Sequence, residues 1–276
     1  MQYQYIDIAG KNPYTDTFFT ITPDDHPRAP FDLILPDCTP GLMFIESGDI
    51  RRNNGPENSL LVPGTIYLFG QKTKAVEYHF APTNLRAFGV KLKPSSVFSL
   101  FGINANEMTD QLVQLDELVG PMDKQLECFY ADSTSPKCQL ELILSCLKPH
   151  ANIANAPLLE ALLSEIHQTK GEITIYSLAK KHGIGYKKME RLFRRHVGLT
   201  PKCYARIVRF YLCILNGLKY RQPRLTDIGY QSGFFDQTHF IKESKKMTGR
   251  TPSKLFGAHQ PSLEEQQISY LESRGY

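Results

Sequence analysis

Much that marks an enzyme or an exported protein is missing from this 276-residue chain. It has no Gly-x-Ser-x-Gly, no H-E-x-x-H and no glycine-rich phosphate loop, which removes the common signatures of hydrolases, zinc proteases and nucleotide-binding enzymes. Its six cysteines, Cys38, Cys128, Cys138, Cys146, Cys203 and Cys213, form no C-x-x-C pair and have no histidine cluster beside them. They read as ordinary buried thiols of a reduced, cytoplasmic protein. A DNA-repair methyl acceptor needs a reactive cysteine in a Pro-Cys-His or zinc-holding setting, and none of the six sits in one. A metal site in a β-rich domain needs three or four convergent histidines and carboxylates. Only His26 and His79 stand in the first half, far apart, and the alternation Tyr78-His79-Phe80 puts His79 on one face of a strand. No catalytic residue, cofactor or metal is expected. The start, MQYQYIDIAG, lacks the basic-then-apolar pattern of a secretion signal. No stretch approaches the roughly 18 apolar residues of a membrane span, so a membrane is not an expected partner.

What the chain does have is an uneven charge. The net is only +4, yet residues 161–260 hold 19 Lys and Arg against 6 Asp and Glu, while the remainder holds 13 against 22. A basic block inside an otherwise acidic chain points to a polyanion partner. With 41% hydrophobic and 22% charged residues, the chain is long enough for two domains with ordinary cores.

The basic block also contains one grammar twice. ITIYSLAKKHGIGYKKMERLFRRHVGLTP (173–201) and LTDIGYQSGFFDQTHFIKESKKMTGRTP (225–252) each pair a small residue with a glycine four positions on. The pairs are Ala179 with Gly183 and Gly229 with Gly233, and each copy closes on Gly-x-Thr-Pro, at Gly198–Pro201 and Gly249–Pro252. Two helices crossing steeply need a small residue where they touch and a residue tolerant of positive φ in the turn. After the first turn, Met189, Leu192, Phe193 and Val197 make one apolar stripe at helical spacing, and Lys187, Lys188, Arg191, Arg194 and Arg195 lie on the other side. The second helix is expected from an N-cap at Asp236 to Thr248, exposing Gln237, Thr238, Ile241, Lys242 and Lys245. A helix of this width fits a DNA major groove, where Arg and Lys read guanine and Gln reads adenine.

At these residues the stretch 157–256 resembles the AraC/XylS family of bacterial transcription regulators. The resemblance rests on Leu178-Ala179, Gly183, Leu192-Phe193, Gly198-x-Thr-Pro201, Ile228, Gly233-Phe234, His239-Phe240 and Gly249-x-Thr-Pro252. It implies two helix-turn-helix subdomains joined by a long helix, each placing a recognition helix in one of two successive major grooves. Three positions depart from the family pattern: Ser244 stands for a core Phe, Gly229 for Ala and Leu255 for Tyr. Base contacts are expected from Lys187, Glu190, Arg191, Gln237, Thr238 and Lys242, and phosphate contacts from Lys188, Arg194, Arg195 and Lys245. The partners consistent with this reading are double-stranded DNA, a small-molecule effector, RNA polymerase and a second copy of the chain. The competing reading is a ligand-binding or scaffold protein whose DNA-binding domain is degenerate.

Residues 1–95 read as short strands between Pro, Gly, Asn and Asp turns: 31–35, 42–45, 65–69, 75–80 and 86–92, with Asn53-Asn54-Gly55-Pro56 as a turn. Even spacing suggests a sandwich or small barrel, and the family resemblance implies a cupin-like barrel that senses a ligand or supports dimerisation. The order from Val62-Pro-Gly64 through Gly70 to Gly89-Val-Lys-Leu-Lys-Pro94 is similar to the sensor half of a poorly understood branch of that family. Phe44, Tyr67, Phe69, Tyr78, Phe80 and Phe88 supply rings either to a ligand cavity or to the core. The fold class is therefore α+β: an N-terminal β-rich cupin-like barrel or sandwich with flanking helices, and an all-α double helix-turn-helix domain. Expected divisions are 1–148 for the sensor or dimerisation domain, 149–157 for a Pro- and Asn-rich linker, 158–260 for the DNA-binding domain and 261–276 for a polar tail. Further helices are expected from Ser95 or Ser96 to Phe101, over 112–119, 122–131, 136–147 and 158–169, then from a Thr174 cap, and over 202–219.

Overall fold

The computed structural model describes residues 1–23, 31–54, 57–80, 84–119, 145, 147, 156–219 and 237–257. Ten strands precede most of the helices: β1 Gln2–Asp7, β2 Thr15–Thr22, β3 Phe31–Ile34, β4 Gly41–Ser47, β5 Ile50–Asn54, β6 Glu57–Leu61, β7 Thr65–Phe69, β8 Val76–Phe80, β9 Arg86–Leu92 and β10 Leu112–Gln114. They form a six-stranded sheet, β1-β2-β9-β4-β7-β10, and a four-stranded sheet, β3-β8-β5-β6. All pairings are antiparallel. The sheets face one another as a sandwich. They do not close into the barrel that the even strand spacing also allowed, because each sheet keeps its own two edge strands among the described residues.

The six-stranded sheet is buried on both faces, which explains apolar runs where a half-exposed strand would alternate. Phe19, Ile21, Met43, Ile45 and Ala87 turn toward the smaller sheet and its Ile50 and Leu61. Phe18, Leu42, Phe44, Phe88, Val90 and Leu92 turn the other way, against α1 (Ser96–Phe101). Phe44 and Phe88 pair across the ladder with ring centroids 5.2 Å apart. Gly89 stands between them and β4, where a Cβ would lie 2.0 Å from the Leu42 carbonyl, so only glycine lets these backbones meet. Expected and observed bounds coincide for β7 and β9 and differ by one to three residues for β3, β4 and β8.

One expected helix divides. Leu112–Gln114 is a strand that completes β7, with Leu112 opposite Phe69, and only Leu115–Val119 (α2) is helical. The free edge of β7 offers a ladder that three extended residues satisfy, and that tertiary demand overrides the local apolar spacing. A 3-10 turn, Ala105–Met108, precedes it. The helices expected over 122–131 and 136–147, the linker over 149–157 and the tail over 261–276 lie outside the described residues, apart from Ser145, Leu147, Ala156 and Pro157.

The C-terminal helices are α3 Ala156–Gln168, α4 Ile175–Lys181, α5 Tyr186–Val197, α6 Pro201–Lys219, α7 Gln237–Thr248 and α8 Pro252–Gly257. Gly171, at φ +72°, ends the first by donating to the Ile166 carbonyl. Their core runs without a break into the sandwich: Leu33, Leu35 and Cys38 pack with Leu162, Phe193, Tyr204, Phe210 and Ile214. Among the described residues no helix is long and apolar enough to cross a membrane.

Candidate nucleic-acid interface

The first helix-turn-helix is assembled from local signals. The Thr174 side chain accepts from the Ser177 N–H at 3.1 Å and starts α4. Ala179 is buried, Gly183 has φ +60°, and the Ile184 N–H returns to the Ala179 carbonyl, which closes the turn. On α5, Met189, Phe193 and Val197 are fully buried, and Leu192 is half-buried against the same core. Lys187, Lys188, Arg191, Arg194 and Arg195 are exposed.

The repeated Gly-x-Thr-Pro has one structural meaning in both copies. Gly198 (φ +89°) and Gly249 (φ +71°) stop α5 and α7 in the left-handed conformation. Thr200 and Thr251 then accept from the N–H groups of Cys203 and Lys254, and Pro201 and Pro252 occupy the first positions of α6 and α8. The motif is thus a stop, a cap and a start in four residues, placed behind each recognition helix.

On α7, Phe240, Ser244 and Met247 are buried, while Gln237, Thr238, Lys242 and Lys245 are exposed and Ile241 is half-buried. Asp236, Gly229 and Gly233 lie outside the described residues. Ser244 occupies the place in the second copy that Phe193 holds in the first, counting back from the two glycines. It is fully buried, and its hydroxyl donates to the Arg250 carbonyl at 2.8 Å. The smaller side chain is therefore accommodated by a hydrogen bond to the helix-stop loop. Leu255 is likewise buried in the shared core.

Three of the expected DNA-contact residues on α5 have protein partners. Glu190 pairs with Arg194 at 3.0 Å, one turn on. Arg195 lies over the Phe98 ring of α1, 4.9 Å from its centroid. Beside it His196 meets the same ring edge-on at 4.4 Å, and the Thr109 hydroxyl donates to the Gly198 carbonyl at 2.6 Å. The C-terminal end of the first recognition helix is thus docked on the sandwich. The second copy is docked too, because Arg250 pairs with Glu77 of β8 at 2.7 Å and lies over Phe31, while the Ala75 N–H donates to the Met247 carbonyl. The contacts with the sandwich were not legible in the sequence, since each joins residues far apart in the chain and leaves no periodic mark.

His196 carries a pH consequence. Burial, and then the charge of Arg195, push its pKa down from 6.5 to about 4. The unfolded chain therefore takes up the proton first. Stability present above pH 6.5 is expected to fall as pH drops through 6.5 to 4. Urea unfolding at pH 7, 5.5 and 4.5 checks this, and His196→Phe should flatten that part of the profile.

A cavity of about 80 Å³ lies between the two sheets. Phe69, Tyr78 and Phe80 line it, whereas Phe44 and Phe88 belong to the core on the opposite face of the larger sheet. Tyr67 is core, with its hydroxyl oxygen accepting from the Val62 N–H. Arg52, Asp37, Lys72 and Lys91 also line the cavity, and sequence reasoning missed all four. The one available signal was the strand period, which sends Arg51 and Arg52 to opposite faces without saying which is inside.

The sandwich is docked on one complete helix-turn-helix and on a second basic helix with the same stop, cap and start, an arrangement that fits a DNA-binding protein. Comparison with known proteins agrees. Residues 178–258 match a helix-turn-helix domain family, and residues 12–114 match a domain of unknown function, DUF6597. The chain is 28% identical over 135 residues to the HTH-type transcriptional activator RhaS of Escherichia coli, spanning 47% of this chain and 48% of that one. It is 25% identical over 156 residues to RhaS of Pectobacterium atrosepticum, spanning 55% and 56%. It thus covers about half the length of the curated relatives it matches. Among solved structures, ToxT from Vibrio cholerae is 10% identical, covers 93% of this chain and 98% of its own, and superposes with a TM-score of 0.50, a likeness of fold alone. Residues 178–258 thus carry a helix-turn-helix domain, in keeping with the resemblance to the AraC/XylS family read from the sequence. Its curated relatives are regulators and not enzymes.

Proposed function

We propose that this chain is a sequence-specific DNA-binding transcription regulator that reads two successive major grooves with α5 and α7 under the control of a small-molecule effector held in the sandwich. The observation that carries this reading is the twice-built stop-cap-start behind two helices with exposed basic faces. In it Lys187, Glu190 and Arg191, with Gln237, Thr238 and Lys242, face base edges. Lys188, Arg194, Arg195 and Lys245 hold phosphates. For Glu190 and Arg195 this requires that DNA displace the Arg194 pair and the Phe98 contact described above. The division of the chain at 149–157 belongs to the same proposal. So do RNA polymerase as a further partner, in keeping with relatives that are activators, and a second copy of the chain.

Arg191→Ala is expected to cost about 1–3 kcal/mol on the specific site and to relax preference at one base position. Lys188→Ala should weaken specific and random duplexes alike and reduce the salt slope by about one. Fluorescence anisotropy titrations on both duplexes across a salt series check the pair. Equal losses on both duplexes for both variants would contradict the assignment.

A further inference from the structure

The cavity between the sheets contains a buried cation with no counterion among the described residues. Arg52 of β5 is 7% exposed and lines the cavity. One Nη donates to the Asp110 carbonyl at 2.9 Å, the guanidinium also hydrogen-bonds the Tyr78 hydroxyl, and Nε is buried without an acceptor. Among the described residues no carboxylate is within ion-pair distance of it. Asp110, whose carbonyl Arg52 touches, has its carboxylate taken by the Thr73 N–H and hydroxyl, and the next candidate in the sheet register is Asp32. Across the smaller sheet, Arg52 stands opposite Tyr78, and Tyr78 opposite Asp32, so Asp32 lies two strands away, about 10 Å. It already accepts from the Tyr3 hydroxyl. A guanidinium costs far more buried and unpaired than paired.

The rest of the wall strengthens the imbalance. Lys72 and Lys91 also line the cavity, and they share the single carboxylate of Asp37, at 3.3 and 2.8 Å. Three cations thus face one lining carboxylate. Around them the surface is apolar and ring-rich, with Phe19, Phe69, Phe80 and Tyr5. The volume is about 80 Å³. At about 10–15 Å³ for each water-sized occupant, it has room for a single ring with a short polar group.

We propose that the effector of this regulator is a small aromatic monocarboxylate whose ring lies among these rings and whose carboxylate is held by Arg52. The inference rests on the effector-controlled reading above and names the ligand class for it. A guanidinium edge matches a carboxylate in two parallel hydrogen bonds, which a lysine cannot supply. The binding wall is continuous with the docking contacts. Asp37 precedes Cys38, whose thiol donates to the Tyr204 carbonyl on α6 at 3.7 Å, and β8 presents Tyr78 to the cavity and Glu77 to Arg250.

The test uses the full chain and three probes of one size: benzoate, neutral benzyl alcohol and cationic benzylamine. Binding is read by ligand-observed NMR saturation transfer and calorimetry. Benzoate is expected to bind at least roughly tenfold more tightly than the other two, and Arg52→Met to remove that preference while benzyl alcohol binding persists. Arg52→Lys, which keeps the charge, should bind benzoate weakly, and it serves as the second variant if Arg52→Met does not fold. Benzoate binding no tighter than benzyl alcohol, or unchanged in both variants, or absent, overturns the proposal. DNA affinity of the same preparations is measured alongside. Retained DNA binding with no benzoate preference defeats the ligand class alone, whereas wild-type protein that ignores DNA sequence defeats the regulator reading.

Discussion

Asp37→Asn is expected to lower the unfolding free energy by about 3–5 kcal/mol, because it removes the carboxylate that two largely buried ammonium groups share. Asp37 pairs with both Lys72 and Lys91, and the Thr39 N–H adds a hydrogen bond at 3.3 Å. Its side chain and that of Lys72 are nearly free of solvent. Burial alone would push the carboxyl's pKa up, but Lys72 and Lys91 outweigh it and hold it well below the usual carboxylate range. The sign follows: a carboxylate with a depressed native pKa contributes stability above about pH 4, and that contribution is lost as pH falls further. Urea unfolding at pH 7 measures the difference. Below pH 4 the wild-type profile should steepen and that of Asp37→Asn should not. A loss under about 1 kcal/mol at pH 7 would mean that the two lysines find other partners.

The second large effect is expected at Phe193. This side chain is fully buried on the inner face of α5, and its ring meets Tyr204 of α6 edge-on at 6.0 Å. Phe193→Ala removes a ring from the point where the first helix-turn-helix packs on the connecting helix, at a cost of about 3–5 kcal/mol. Because the helical core continues into Leu33, Leu35 and Cys38, the loss should appear in global unfolding and not as a separate early transition of the helices. Thermal unfolding followed by circular dichroism distinguishes these. DNA affinity should fall with it, on specific and random duplexes together, since the scaffold of the recognition helix is what has been lost.

How much was legible in the sequence follows from how local each signal is. Ser96–Phe101 with its Gly102 stop, Thr174 with its helix, Tyr186–Val197 with Gly198, and Pro201–Lys219 are each set by a cap, a stripe or a glycine within a few residues. The strands β7 and β9 were legible for the same reason. The sheet order β1-β2-β9-β4-β7-β10 was not, because strands pair across long separations and the apolar pattern of a doubly buried strand names no partner. The same holds for the site. Lys187, Lys188, Arg191, Gln237, Thr238 and Lys242 could be placed on outer helix faces by spacing alone, and they are on those faces. Arg195 could not be distinguished from them, although it stacks on Phe98, because that ring lies about a hundred positions away. Arg52, in the polar-looking run Ile-Arg-Arg-Asn-Asn, gave no sign that it would be buried against the cavity.

The claim at the centre is that both helix-turn-helix copies read sequence. The most direct test is binding of the purified full chain to a randomised duplex pool, with sequencing of the retained fraction across a salt series. The account predicts enrichment of a bipartite site whose halves are about one helical turn apart, surviving as salt rises. Retention without enrichment, vanishing with salt, would leave only phosphate contact and would contradict it.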